Sequence, residues 1–279
     1  MPHHHGATGS WGISVFLTLV IIVVASLYLG GWMRLRSSEE RISPAHAGSF
    51  LGGLLLIWIA LASPVAALDH ELLTAHMIQH LLLMTLAPLL LWPGEPVLAF
   101  SHLRRGTWVI PRAPIPRLAK VLTNPAVALV AASAVPVVWH IPVVFAFGMK
   151  SAAWHIVEQT SFLATGLLFW WPVVQPWPSV PRRELSLVLY LFFATLPCDI
   201  LSGFLVFCDR VVYPGYFSSK HLFGFSPLGD QQCAAALMWT CITVIYLAAG
   251  AMITVRLLSP ESQRHSPAAS LIQQRVEAL

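Results

Sequence analysis

Two histidines, His76 and His80, lie four residues apart within an apolar stretch of the chain. Successive residues of a helix are about 100° apart, so side chains at i and i+4 share a face and two imidazoles can reach one ion. Met77 and Met84 fall on the same stripe, and imidazole with thioether sulfur suits copper better than magnesium or calcium. The spacing predicts a copper-binding face on this helix.

Both histidines have an alternative role as hydrogen-bonded packing residues. Ionisable side chains inside a membrane span are costly and rare, so two of them on one face favour a functional role. Methionine, by contrast, is a common apolar filler. For Met77 and Met84, packing is therefore the favoured interpretation.

Further polar residues are predicted to lie at the same depth on neighbouring segments. Glu158 follows His155 by three residues, so the two share a helical face and the carboxylate could orient an imidazole. Asp199 lies within an apolar run, where it needs a proton, a partner or a cation. The remaining members of this set are His70, His140 and Asp230.

Asp230 also has a purely structural interpretation. It follows Pro227 and Gly229, and aspartate at such a position is a common N-cap. The cysteines Cys198, Cys208 and Cys233 lie near the predicted cluster, but buried thiols are more often inert than ligands. The chain has no CxxC spacing, phosphate-binding Gly loop, GxSxG or HExxH motif, so the sequence gives no support for a zinc knuckle or for nucleophilic catalysis.

The elements that must position these residues are transmembrane helices. The chain of 279 residues is 57% hydrophobic and only 10% charged, which is too apolar for an ordinary soluble domain. We expect an all-α, seven-helix transmembrane bundle over residues 11–256, a flexible N-terminus over 1–10 that carries His3–His5, and a polar cytoplasmic tail over 257–279. The predicted spans are 11–33, 46–67, 72–92, 124–140, 152–174, 185–207 and 230–256.

The distribution of basic residues predicts the orientation of this bundle. Most of the 16 Lys and Arg residues fall in the segments that follow spans one, three, five and seven, and such segments are cytoplasmic. The exceptions are Lys150, Arg210 and Lys220. The N-terminus is therefore predicted outside, the C-terminus in the cytoplasm, and the histidine cluster at the outer end. The same positions explain the positive charge without nucleic acid binding.

The stretch from His76 to Met84 reads HMIQHLLLM and is followed by Ala87-Pro88 and Gly94-Glu95-Pro96. It resembles the multi-span caa3-type cytochrome c oxidase assembly factor family, CtaG. Further matching stretches are Phe169–Val173, Tyr213–Tyr216, Asp230–Gln232 and Leu237–Trp239. The resemblance implies a protein of the bacterial cytoplasmic membrane that serves the assembly of a haem-copper oxidase by handling copper.

The resemblance also assigns positions to the family's polar residues. His76 and His80 match its paired histidines, His155 and Glu158 its histidine and acid of span five, and Asp230 its acid of span seven. Where the family leads us to expect Glu-His, this chain has Glu158-Gln159, so one ligand is missing. His140 or His70 could replace it.

Three functions remain open at this stage. The favoured one is a non-enzymatic assembly factor that binds copper through His76, His80, His140 and His155 and passes it to an oxidase subunit, with Glu158, Asp199 and Asp230 orienting ligands or balancing charge. The second is a haem and quinol redox protein with axial histidines on different spans. The third is a cation transporter. The sequence leaves open whether the chain forms a homo-oligomer.

Overall fold

The computed structural model describes residues 7–36, 43–103, 124–176, 184–218, 224 and 226–259. Within these ranges every regular element is helical. His3–His5, the basic segment 104–120, Arg182, Arg183, Lys220 and the tail beyond residue 259 lie outside the described residues, so the expectations that concern them stay predictions.

The helices follow the apolar runs closely. In the described part of the chain they are α1 (Ala7–Arg36), α2 (Pro44–Leu61), α3 (Leu73–Gly94), α4 (Pro96–Ser101), α5 (Pro125–Trp139), α6 (Pro142–Lys150), α7 (Ala152–Val174), α8 (Glu184–Phe207) and α9 (Pro227–Leu258). Short 3₁₀ segments precede α3 at Pro64–Leu68 and follow α8 at Pro214–Ser218.

Five segments are long and apolar enough to cross a membrane, and a sixth is added if the bent pair α5 and α6 forms one span. The pair bends by 78° between Trp139 and Pro142, because proline disfavours helical geometry in the residue before it. The remaining predicted span, the fifth at 152–174, forms as the helix α7 of 23 residues. Its mean hydropathy is lowered by His155, Glu158 and Gln159 in its first turns. The described residues therefore contain five or six candidate membrane spans, and the seventh span and the orientation stay predictions.

Helix α3 contains a π-helical turn at Leu82–Leu86, between α-helical segments. Pro88 explains it, since proline has no N–H to donate to Met84 O and its ring would clash with that carbonyl. The freed Met84 carbonyl packs directly against Gly166 of α7, where a Cβ atom would overlap it. The glycine thus lets α7 approach α3 at the level of the predicted site.

The core and the outer surface are both apolar, as expected in lipid. At one end, Tyr28 of α1 stacks on Phe50 of α2 with ring centroids 4.0 Å apart and donates a hydrogen bond to Gly94 O. The outward faces of α1 and α8 expose large apolar side chains, including Phe16, Ile200 and Phe207. Such a surface is unfavourable in water and favourable against lipid tails.

Candidate metal site

The polar cluster lies at the end of the bundle where α3, α7 and α9 begin and α8 ends. The first turns of α3 carry His76 and His80 toward α7, which carries Glu158. Glu158 Oε1 lies 3.5 Å from His76 Nε2 and 3.6 Å from His80 Nε2. All three side chains are buried, with exposed fractions of 4% or less.

None of these three side chains has a hydrogen-bond partner among the described residues. Both ring nitrogens of His76 and of His80, and both carboxylate oxygens of Glu158, are buried without one. Polar groups in such surroundings cost free energy unless they are paired, and charged groups cost more. These side chains therefore offer ligand atoms that a cation could pair, one from each residue.

The geometry fits a single metal ion. One ligand atom each from His76, His80 and Glu158 lies within 4.8 Å of the others, and the same holds for the overlapping set Asp69, His76 and His155. Atoms this close can share one ion at ordinary metal–ligand bond lengths of about 2.0–2.2 Å. His76 belongs to both sets and is the centre of the cluster.

His155 is oriented by Asp69. Its Nε2 lies 3.0 Å from Asp69 Oδ2, and because a carboxylate oxygen accepts, that nitrogen carries the proton. The unprotonated Nδ1 is left 3.6 Å from Glu158 Oε2. An imidazole that donates one N–H to a carboxylate and offers the other nitrogen to a metal is a common arrangement in metal sites.

Asp69 is a residue that sequence reasoning did not assign to the site. Burial alone would raise the pKa of its carboxyl, but the hydrogen bond from His155 and the neighbouring imidazoles outweigh this, so its pKa lies below the usual range. The Tyr216 hydroxyl holds the Asp69 backbone by donating to its carbonyl at 2.6 Å. The signal available in the sequence was the acidic residue next to His70 at the start of α3.

Two other predicted residues lie at the edge of the cluster. The His70 side chain is 57% exposed, and its Nε2 lies 3.7 Å from Asp69 Oδ1. Gln159, which stands where a histidine was expected, has its side-chain amide 2.6 Å from His155 Nε2. Because that nitrogen carries the proton, the amide accepts from it with its oxygen, which a flip of the amide group places there. Neither side chain joins the two candidate sets among the described residues.

His140 and Met77 contact each other beside the cluster. The break between α5 and α6 holds His140, whose Nε2 lies 3.3 Å from Met77 Sδ. The His80 and His140 rings are 6.0 Å apart between centroids. Met84 lines a cavity together with these side chains, so both methionines of the predicted stripe face the polar region.

Asp199 is half-buried in α8, and its Oδ1 has no hydrogen-bond partner. It belongs to neither candidate set in the described part of the chain. Its predicted charge-balancing role therefore stays a prediction.

Asp230 caps a helix, but not its own. The N-cap of α9 is Ser226, so the prediction of Asp230 as the cap of its own helix is wrong. Its carboxylate instead accepts hydrogen bonds from Leu73 N at 2.7 Å and from Thr74 N at 3.1 Å, and the Thr74 hydroxyl donates to it at 2.6 Å. Asp230 thereby ties α9 to the start of α3 and fixes the first turn below His76.

Replacing Asp230 by Ala should destabilise the protein by about 1–2 kcal/mol, because the loss of a buried, charge-assisted helix cap leaves two backbone N–H groups unpaired. The measurement is thermal unfolding of the purified protein in detergent. Ser226→Ala, which removes the exposed cap of α9, is the matched control and should lower the melting temperature less. Equal melting temperatures for Asp230→Ala and the wild type would contradict the capping role.

Comparison with known proteins places the chain in a family. The family model described as cytochrome c oxidase caa3 assembly factor (Caa3_CtaG) matches residues 26–259, which include both candidate sets. The chain belongs to the Caa3_CtaG family. The predicted resemblance to this family is confirmed.

Two curated relatives of this Caa3_CtaG chain are longer. They are uncharacterised proteins of Mycobacterium bovis and Mycobacterium tuberculosis, each 23% identical over 245 residues, or 82% of this chain and 36% of the relative. The chain thus spans about a third of the length of these relatives. No solved structure matches.

Proposed function

We propose that this assembly factor binds copper at His76, His80 and Glu158 and delivers it to a subunit of cytochrome c oxidase. The observation that carries the proposal is the buried set of ring nitrogens and carboxylate oxygens, all without hydrogen-bond partners, at distances of 3.5 to 3.6 Å. Copper is here a cargo that the protein receives and releases.

Copper is favoured over other ions by the surroundings of the site. Two imidazoles and a carboxylate suit zinc as well as copper, but calcium and magnesium prefer oxygen ligands alone. Thioether sulfur next to the cluster, from Met77 and Met84, favours copper further. The family description names the assembly of cytochrome c oxidase, and the sequence resemblance implies a haem-copper oxidase.

The small number of protein ligands explains how copper could be released. Three protein ligands leave a coordination position free, so an incoming ligand of the recipient subunit can bind before a protein ligand leaves. His155 is fixed by Asp69 at Nε2 and presents Nδ1 3.6 Å from Glu158 Oε2, so it can act as a further ligand while a first ligand leaves. His140, the remaining candidate ligand from the sequence, lies beside the cluster against Met77.

The proposal includes the membrane arrangement. We place the protein in the bacterial cytoplasmic membrane with seven spans, α5 and α6 together forming one of them and α7 another. Arg34 and Arg36 at the end of α1 and Arg256 at the end of α9 lie opposite the cluster along their helices. The positive-inside rule then puts these ends in the cytoplasm and the cluster on the outer side, where oxidase subunits would receive copper.

The two alternative functions fit the geometry less well. The haem alternative needs axial histidines on different spans, such as His80 with His155 or His140. The cavity beside His80 and His140 has a volume of about 40 Å³, which is too small for a porphyrin. A cation path needs polar groups along its length, but the wall of the cavity inward of Met84 consists mainly of apolar side chains such as Phe169 and Ile242.

A deletion strain tests this function. Cells without the protein should contain cytochrome c oxidase with haem but with little copper, and a plasmid carrying the wild-type chain should restore copper content and activity. Oxidase purified from the deletion strain with a full complement of copper would contradict the delivery role.

A further inference from the structure

A cavity of about 40 Å³ lies inside the bundle next to the polar cluster. It extends from His80 toward Tyr246 of α9, and the π-helical turn of α3 forms part of its wall. Its lining carries sulfur and imidazole donors from four parts of the chain, namely His80, His140, Met77, Met84, Met238 and Cys198. No carboxylate is among its lining residues, which distinguishes it from the cluster around Glu158.

The contacts of His140 indicate which of its ring nitrogens carries the proton and which carries a lone pair toward the cavity. His140 Nδ1 lies 2.7 Å from Pro136 O, and because a carbonyl only accepts, this nitrogen carries the N–H. Nε2 of the neutral ring is then a lone-pair acceptor, and it lies 3.3 Å from the thioether of Met77, which is an acceptor too. Two lone-pair atoms in contact can share a cation that lies beside them. A buried imidazolium would supply it only at a high desolvation cost.

The distance between the two acceptors suits chelation of one ion. Nitrogen and sulfur ligands at bond lengths of about 2.0 and 2.3 Å from a tetrahedral ion are about 3.5 Å apart. The observed 3.3 Å between His140 Nε2 and Met77 Sδ is close to this value. The pair is therefore arranged to bind a metal without movement of the backbone.

We propose that this cavity is a second copper site, specific for Cu(I), in which His140 Nε2 and Met77 Sδ bind the ion and Met84, Met238 and Cys198 offer further sulfur. Neutral imidazole and thioether ligands select soft monovalent ions, and a single positive charge is easier to bury than a double one. The proposal rests on the copper-handling role proposed above and adds a second position for the cargo.

His80 connects the two sites. It belongs to the set with His76 and Glu158, and it also lines the cavity, while both of its ring nitrogens lack a hydrogen-bond partner. An ion can therefore exchange ligands between the cluster and the cavity through this one side chain. The ion remains Cu(I) in this step, so no electron is transferred.

The test uses Ag(I), which has the same charge and ligand preference as Cu(I) but is inert to oxidation. The purified full chain in detergent is titrated with Ag(I) against a chromogenic competitor, and X-ray absorption reports the ligand atoms. We expect sulfur in the Ag(I) shell of the wild type and a loss of affinity of about tenfold or more in Met77→Leu/Met238→Leu. Leucine nearly conserves the volume of methionine.

The matched control is Met149→Leu/Met252→Leu, which removes two thioethers that do not line the cavity and should bind Ag(I) as the wild type does. Retained Zn(II) binding shows that the cavity variant is folded. A wild-type spectrum without sulfur, or equal Ag(I) affinity in the cavity variant and the wild type, would overturn the proposal. The ligand atoms in the X-ray absorption spectrum of the wild type test the proposal even if the variant does not fold.

Failure of the two proposals can be told apart. If Glu158→Gln weakens Zn(II) binding and leaves Ag(I) binding intact, both sites exist and are separate. If His76→Ala and Glu158→Gln leave Zn(II) and Cu(II) binding unchanged while the cavity variant loses Ag(I), the cluster proposed as the delivery site fails and the cavity site stands.

Discussion

Cells that carry His76→Ala/His80→Ala in place of the wild-type protein are expected to assemble cytochrome c oxidase without its copper. The two imidazoles supply two of the three proposed ligand groups, and Glu158 alone cannot hold copper against cellular competitors. Loss of first ligands should lower copper affinity by more than the 10- to 100-fold typical of changes in their outer partners. Oxidase activity of the membranes should fall to the level of the deletion strain, and the readouts are oxygen consumption and copper content of the purified oxidase.

The matched control removes two histidines at the other end of the bundle. His46 lies in the first turn of α2 and His102 follows α4, and neither joins the candidate sets of the described residues. His46→Ala/His102→Ala should leave oxidase activity at the wild-type level. Equal activity for both double variants, with equal amounts of protein in the membrane, would show that the site has no role in assembly.

Glu158→Gln is expected to weaken copper binding while leaving the metal-free protein as stable as the wild type or more stable. Both carboxylate oxygens are buried and have no hydrogen-bond partner among the described residues. In the absence of a metal, the desolvation of this charge therefore destabilises the folded protein. The neutral amide removes that destabilisation and also removes an anionic ligand. We expect copper affinity to fall at least about tenfold and the melting temperature of the metal-free protein to stay equal or rise.

A purely structural Glu158 would behave in the opposite way. If the carboxylate served as the partner of protonated His76 and His80, breaking the buried pair would lower stability by about 3–5 kcal/mol. Thermal unfolding with and without copper therefore separates the two roles. Glu71→Gln is the matched control, since Glu71 lies near the same end of the bundle and enters neither candidate set. It should change neither copper affinity nor melting temperature.

Hydropathy and helical periodicity predicted most of the fold and the centre of the site. The predicted spans 11–33, 72–92 and 185–207 correspond to α1, α3 and α8, because about 20 apolar residues in sequence can satisfy their backbone only as helices in lipid. The pairing of His76 with His80 followed from the i, i+4 spacing alone, since it needs no knowledge of any other helix.

Sequence patterns within single helices could not predict the contacts between helices. Asp69 lies between helices, and its distance to His155 depends on how α7 packs against the start of α3. A cap of its own helix was one interpretation of Asp230, but α9 begins three residues earlier at Pro227 and places the carboxylate beside Leu73 and Thr74. Local sequence rules describe caps within one helix, and a cap supplied by another helix leaves no local signal.

Two local distortions did leave a signal. Pro142 directly follows the break that holds His140, and Pro88 follows the π-helical turn by two residues. Both prolines disturb a helix next to a side chain that faces the polar region, namely His140 and Met84. Proline within an apolar run thus marks positions where helix geometry is adapted to the site, but the direction of the bend depends on tertiary packing.

Copper bound per chain, measured on the purified full-length protein without a histidine tag and compared with His76→Ala/His80→Ala, tests the central claim most directly. Under competition from a chelator of known affinity, the wild type should retain copper at the cluster and the double variant should lose it. The control His46→Ala/His102→Ala should retain as much as the wild type. Equal copper retention by the wild type and His76→Ala/His80→Ala would contradict the proposed role of the cluster.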